Sequence, residues 1–317
     1  MPSSMKDDLA TFLKGFAMGA ANVVPGVSGG TIALITGIYE RLIDSLKSFD
    51  LEAVKLAARF KFGDLWKTID GRFLLALGLG VVTSILTVAK VLKWGFSEHP
   101  VLIWALFFGL IAASIPSVGK MVRQWTLSVI SLFLMGLLIA VSMAFLTPAS
   151  ECENVLYLLL CGVAAMCSMI IPGLSGSFVL LLMGNYELVA LDAVNNLRQG
   201  DLGEALPIII PVGIGAVVGL LVLSRFLSWL FKTHHDKAVG AITGFVAGSL
   251  AIIWPWKDTV KEQFEKNGEM KEKIVSFENW HLPDFSAGST WMELGAVAVG
   301  VMLIVIVEMF ARKNQKS

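Results

Sequence analysis

Charge is scarce in this chain. Asp, Glu, Lys and Arg make up 16% of its 317 residues and cancel to a formal net charge of zero. A soluble domain of this length needs more polar surface than that. The balance also leaves no basic footprint for a polyanion, so no nucleic-acid partner is expected. Cysteine is scarcer still. Cys152, Cys161 and Cys167 lack metal-ligand spacing and two of them lie in apolar sequence, so they read as packing residues and no metal site is expected. The first eight residues are polar, Lys14 interrupts the next stretch, and no small-residue cleavage site follows a compact apolar core. A cleavable signal peptide is therefore not expected.

What is abundant is apolar sequence, 56% of the chain, with a mean hydropathy of +0.74. Uncharged runs cover Phe73–Ala89, Pro100–Gly119, Gln124–Ser150, Asn154–Tyr186, Ala205–Ser224, Ala238–Trp256 and Leu294–Val307. Most approach or exceed the roughly 20 residues that cross a bilayer core of about 30 Å. The chain reads as a polytopic, all-α integral membrane protein.

One uncharged run carries helix breakers: "NVVPGVSGGTIALITGIYE", residues 22–40. A close copy returns 147 residues later. Between Val24–Glu40 and Ile171–Glu187, eight of 17 positions are identical, among them Pro25/Pro172, Gly26/Gly173, Ser28/Ser175, Gly29/Gly176, Tyr39/Tyr186 and Glu40/Glu187. The match resumes at an offset of 135 with Gly78/Gly213, Gly80/Gly215, Trp94/Trp229, His99/His234, Gly109/Gly244 and Ser114/Ser249. An internal repeat organises the chain. The first copy, 1–150, holds a re-entrant hairpin 12–40, an amphipathic surface helix 48–70 and three transmembrane helices. The second, 151–317, holds a re-entrant hairpin 155–187, three transmembrane helices and an extracytoplasmic loop 257–290.

Charge orients the copies. If each Pro-Gly segment dips in and returns on the same side, each copy has three spans and the second is inverted relative to the first. With both termini cytoplasmic, 17 Lys and Arg lie inside and eight outside. Full spanning by the Pro-Gly segments would instead put the basic stretch 41–72 outside, against the positive-inside bias.

Proline and glycine interrupt the helical ladder, and the N–H and C=O groups released in hydrocarbon each cost several kcal/mol unless paired. Such backbone belongs where protein buries it or a wet cavity meets it. After each tip a new half-helix begins, at Ser28–Thr31 and Ser175–Ser177, with unpaired N–H groups and a positive dipole end. Two inverted tips would meet near the bilayer midplane as facing anion sites without a permanent cation. The candidate phosphate-binding residues are Asn22, Gly26, Ser28, Gly29, Gly30, Thr31, Gly173, Ser175, Gly176 and Ser177. Glu40 and Glu187 close the matched segments. A carboxylate at a helix C-terminus opposes the dipole, which makes these two, with Arg41, candidates for gating or ion coupling. Lys90 and Arg225 coincide at the 135 offset and are candidates to receive an anionic headgroup on each side, or simply snorkelling anchors.

"GAANVVPGVSGGTIALITGIYERLI", with "IIPGLSGSFVLLLMGNYE" as its second copy, resembles the PopT-type family of bacterial undecaprenyl phosphate translocases. The resemblance covers nearly the whole chain. It implies a flippase of the bacterial cytoplasmic membrane that returns undecaprenyl phosphate from the outer to the cytoplasmic leaflet for cell-envelope and peptidoglycan synthesis. It carries over onto Pro25, Gly26, Ser28, Gly29, Gly30, Thr31, Pro172, Gly173, Ser175 and Gly176. Gly30 becomes Ser177 and Thr31 becomes Phe178, so the half-sites differ and the first tip is favoured as the phosphate contact. No cofactor is expected, only a proton or sodium gradient as driving force. A small-anion transporter or channel would use the same dipoles. A membrane undecaprenyl pyrophosphate phosphatase is the enzymatic alternative, but its tip carries arginine after the serine, where this chain has Gly29 and Gly176.

Overall fold

The computed structural model describes residues 5–23, 27–266 and 269–314. Helices α1 (Met5–Val23), α2 (Gly29–Ile35) and α3 (Tyr39–Lys47) are followed by two short ones, α4 (Leu51–Ala58) and α5 (Phe62–Thr68). Then come α6 (Gly71–Glu98), α7 (Pro100–Gly119) and α8 (Leu127–Met143). The rest of the chain repeats this order with α9 (Val155–Ile170), α10 (Gly176–Leu182), a π-helical turn (Leu188–Asp192), α11 (Ala193–Gln199), α12 (Leu202–Ser249) and α13 (Gly288–Asn314). The expected loop 257–290 carries an antiparallel hairpin of β1 (Asp258–Lys266) and β2 (Glu269–Glu278).

Among the described residues, four helices, α6, α7, α12 and α13, are long and apolar enough to cross a membrane, and α8 and α9 are shorter apolar helices. The protein is a multi-pass membrane protein. At 48 residues α12 is far longer than a bilayer needs, and it breaks at His234 (φ −138°, ψ 49°). His99 separates α6 from α7 with almost the same dihedrals, φ −139° and ψ 58°. A tryptophan packs edge-on against each histidine: Trp94 at 6.2 Å from His99, Trp229 at 5.9 Å from His234. The first part of α12 thus corresponds to α6 and the second to α7.

The 48–70 stretch is two helices rather than one. Phe60 adopts φ 54°, the Phe60 N–H bonds the Ala57 carbonyl and the Lys61 N–H bonds that of Leu56. This is a Schellman stop, usually made by glycine, built here on a phenylalanine.

Glycines set the closest helix contacts. A Cβ on Gly80 of α6 would lie 2.1 Å from the Phe12 carbonyl oxygen of α1, and one on Gly215 of α12 lies 2.0 Å from that of Leu159 in α9. Phe12 and Leu159 are themselves related by the 147 offset, so the same crossing is built twice. The other two crossings run between copies. α13 lies on α7, where a Cβ on Gly109 would be 2.1 Å from the Val297 carbonyl oxygen. α8 lies on the second part of α12, where a Cβ on Gly244 would be 2.0 Å from that of Phe133. Each last span of a copy therefore packs on the other copy, and the buried cluster runs through both halves, from Met18 and Ile43 to Ile170, Leu227 and Val246.

Gly213 and Gly215 stand two residues apart and separate these effects. Gly213 faces open space, so Gly213→Ala should leave thermal unfolding in detergent unchanged or slightly raised. Gly215→Ala forces α9 and α12 apart and should destabilise by about 1–3 kcal/mol.

Candidate functional site

The matched breaker segments become matched local structures. Ser28 and Ser175 are the N-caps of α2 and α10, both at φ −109° and ψ 129°, and each helix has seven residues. Each ends at a glycine of positive φ, Gly37 (71°) and Gly184 (75°), in a pair of Schellman stops. Val27–Leu34 are all buried, so the first tip lies inside the protein. Gly26 lies outside the described residues.

The two tips touch. The Gly173 N–H donates to Thr31 Oγ1 at 2.9 Å, the Ser28 hydroxyl reaches the Ile171 carbonyl at 3.4 Å, and the Tyr39 hydroxyl donates to the Ile170 carbonyl at 3.1 Å. Gly30 permits this approach, since a Cβ there would sit 2.8 Å from the Ile170 carbonyl oxygen. The N–H groups expected to be unpaired have acceptors at the first tip. Asn22 Oδ1 takes the Gly29 N–H at 2.8 Å and Ser28 Oγ takes the Gly30 N–H at 3.2 Å. Asn22 bonds the Gly29 amide because the end of α1 packs against the start of α2.

The second tip is dressed differently. Ser175 makes no cap bond, and its hydroxyl instead pairs with that of Ser177 at 2.9 Å. Met169 stands where Asn22 stands in the first copy and offers no oxygen. Gly176 and Ser177 are only half-buried, whereas Gly29 and Gly30 are buried. The asymmetry read from Thr31/Phe178 is thus wider, and in this conformation the first tip is the sealed one.

The carboxylates lie elsewhere than expected. Glu40 is not at a helix C-terminus but in the first turn of α3, and Glu187 directly precedes the π-helical turn. The Schellman stops at Gly37 and Gly184 end the preceding helices first, so the dipole favours both charges instead of opposing them. Glu40 Oε1 lies 3.6 Å from His235 Nε2. Arg41 forks onto Asp70, Nε–Oδ2 2.7 Å and Nη2–Oδ1 3.1 Å, with its guanidinium 4.3 Å over the Phe73 ring. Arg225 is exposed and bonds the Leu221 carbonyl of its own helix at 2.8 Å; Lys90 lies in α6. The partners of Glu40, Arg41 and Arg225 thus lie outside the tip segments.

Two residues were not singled out in the sequence. Tyr39 was visible as a repeated position, but its reach to Ile170 depends on the crossing of the copies. Lys14 looked only like a break in an apolar run, yet its Nζ donates to the Thr36 carbonyl at 2.9 Å and so caps the C-terminal end of α2.

Known proteins resemble this chain over most of its length. The family model of VCA0040-like, undecaprenyl phosphate translocase-like proteins matches residues 18–271, which include both tips. A polyprenyl-phosphate transporter of Vibrio cholerae is 38% identical over 310 residues, covering 96% of this chain and 97% of that protein. A polyprenyl-phosphate transporter of Staphylococcus aureus is 31% identical over 256 residues, covering 77% of this chain and 85% of that one. No solved structure matches at a significant level. With a family match over most of its length and full-length relatives of this kind, the chain belongs to the undecaprenyl phosphate translocase-like family and is a transporter, not an enzyme.

Proposed function

We propose that the protein is a flippase that returns undecaprenyl phosphate from the outer to the cytoplasmic leaflet, with the phosphate passing through the tip crossing and the polyprenyl tail left in lipid. The relatives' names supply the substrate class. One observation carries the site. Three amides at the crossing, of Gly29, Gly30 and Gly173, are held by three side-chain oxygens, Asn22 Oδ1, Ser28 Oγ and Thr31 Oγ1. A phosphate monoester presents three terminal oxygens to donors of this kind, so these side chains act as place-holders that the headgroup displaces. The amides come from both copies, so a bound phosphate would bridge them.

The alternation of access rests on the same duplication. Equal dihedrals at Ser28/Ser175 and at His99/His234 support two copies of one hairpin-plus-spans unit. With three spans per copy the second is inverted, both hairpins are re-entrant and both termini are cytoplasmic. Inward movement of an anion against an inside-negative potential costs about 2.3 kcal/mol per charge per 100 mV. A proton or sodium gradient offsets that cost in this reading, with Glu40 and Glu187 as the coupling candidates.

Leaflet-resolved transfer of undecaprenyl phosphate in proteoliposomes tests the function. Transfer should exceed empty vesicles at least tenfold, while chloride and sulfate fluxes stay at background. Anion flux without lipid transfer would mean a channel instead. The place-holder idea makes its own demand. Thr31→Val leaves the Gly173 N–H without its acceptor and should lower folding stability by about 1–3 kcal/mol, with Thr31→Ser close to wild type. Asn22→Ala should likewise lower the melting temperature of the empty protein. Added undecaprenyl phosphate should then raise it further than in wild type, because the ligand no longer competes with Asn22. An equal ligand-induced rise in both proteins would rule out displacement of Asn22.

A further inference from the structure

Away from the tips, α3 of the first copy meets α12 of the second along a polar seam. Glu40, Asp44 and Lys47 are spaced four and three apart, and Arg225, Ser228 and Lys232 three and four, with His235 just past the break at His234. Each set therefore lines one helix face. Glu40 faces His235 at 3.6 Å. Asp44 Oδ1 accepts from the Ser228 hydroxyl at 2.7 Å and from Lys232 Nζ at 3.1 Å, and Lys47 Nζ donates to Ser228 Oγ at 3.3 Å. Asp50, the N-cap of α4, lies in the field of Arg225. Partial burial works against the charge on Asp44, yet the Ser228 and Lys232 bonds and the nearby lysines hold its carboxyl below the usual range.

The seam differs from the glycine crossings between the copies. α7–α13 and α8–α12 are glycine crossings at backbone distance, whereas the seam joins long, half-exposed side chains. Side-chain exposure is 60% for Lys232, 47% for Asp44 and 55% for Glu40. Exposed ion pairs of this kind contribute little each and part readily. Beneath them lie Ile43 and Phe231, with the Tyr39 and Phe231 rings 5.5 Å apart. Tyr39 is also the residue whose hydroxyl holds the Ile170 carbonyl, just ahead of the second tip. A small cavity between the helices is lined by Glu40, Ile43, Asp44, Ser228, Phe231 and Lys232.

We propose that the α3–α12 seam is the gate on the basic, inner side of the transporter, shut in this structure, and that its parting withdraws Tyr39 from Ile170 and opens the tip crossing to that side. The proposal rests on the transport reading above. Asp44 and Ser228 form its latch, and no headgroup contact is required of them.

The test uses the full chain with Cys152, Cys161 and Cys167 replaced by alanine, carrying Asp44→Cys and Ser228→Cys, in proteoliposomes. A short, reducible bis-methanethiosulfonate linker across the pair should lower undecaprenyl phosphate transfer at least tenfold, and reductant should restore it. Transfer by the linked protein at the unlinked rate would overturn the gate while leaving the transport reading intact. A second arm is independent of transport. In the same alanine background, Ser175→Cys should be protected from a membrane-impermeant maleimide added on the seam side. Asp44→Ala with Lys232→Ala should raise its labelling severalfold. Unchanged labelling overturns the gate even if the linked pair proves inactive for another reason.

Discussion

Backbone N–H groups released in apolar surroundings must find an acceptor, and the rest of this structure follows from how that demand is met twice. A Pro-Gly turn in an uncharged run frees several amides at once, each costly to bury alone. The first tip answers with oxygens borne on its own short polar side chains, Asn22, Ser28 and Thr31. One of these amides, that of Gly173, belongs to the other tip, so the demand is met only when both copies are in place. The tip crossing is thus the point where the duplication becomes a single protein.

The same logic explains the exchange of the last spans. A hairpin tip is held in register only if the helices behind it approach closely, and glycines at 80, 109, 215 and 244 allow contact at backbone distance. Because α8 and α13 pack on the opposite copy, neither half completes its own bundle. Rigid glycine crossings surround a crossing of hydrogen bonds and one polar seam.

Much of this could be read from residues alone. The offset of 147 anticipated paired tips, and the identities found at 135 prove to mark paired histidine breaks and matched glycine crossings, because identity at Pro, Gly, Ser and His reports backbone conformation directly. That the tips meet was expected, but the residue contacts between copies were not legible. Nothing in sequence spacing brings Thr31 to Gly173, Tyr39 to Ile170 or Asp44 to Ser228, which are 142, 131 and 184 residues apart. Helix ends misled where glycine was absent or its role went unrecognised. Phe60 stops α4 in a conformation its side chain disfavours, and Gly37 and Gly184 end helices ahead of the glutamates, which reverses the sense of the dipole at Glu40 and Glu187. The occupied amides at the first tip were missed for a further reason. Asn22 was read as a contact for the phosphate rather than as an internal partner of the Gly29 amide.

The central claim is that the amides of Gly29, Gly30 and Gly173 give up Asn22, Ser28 and Thr31 for the phosphate. Phosphorus–nitrogen dipolar recoupling by solid-state NMR, on glycine-15N protein in lipid with undecaprenyl phosphate, measures this directly. The claim predicts close 31P–15N couplings to those three amides, with shifts away from their ligand-free positions. Unchanged tip glycines, with phosphorus close only to lysine or arginine nitrogens, would contradict it.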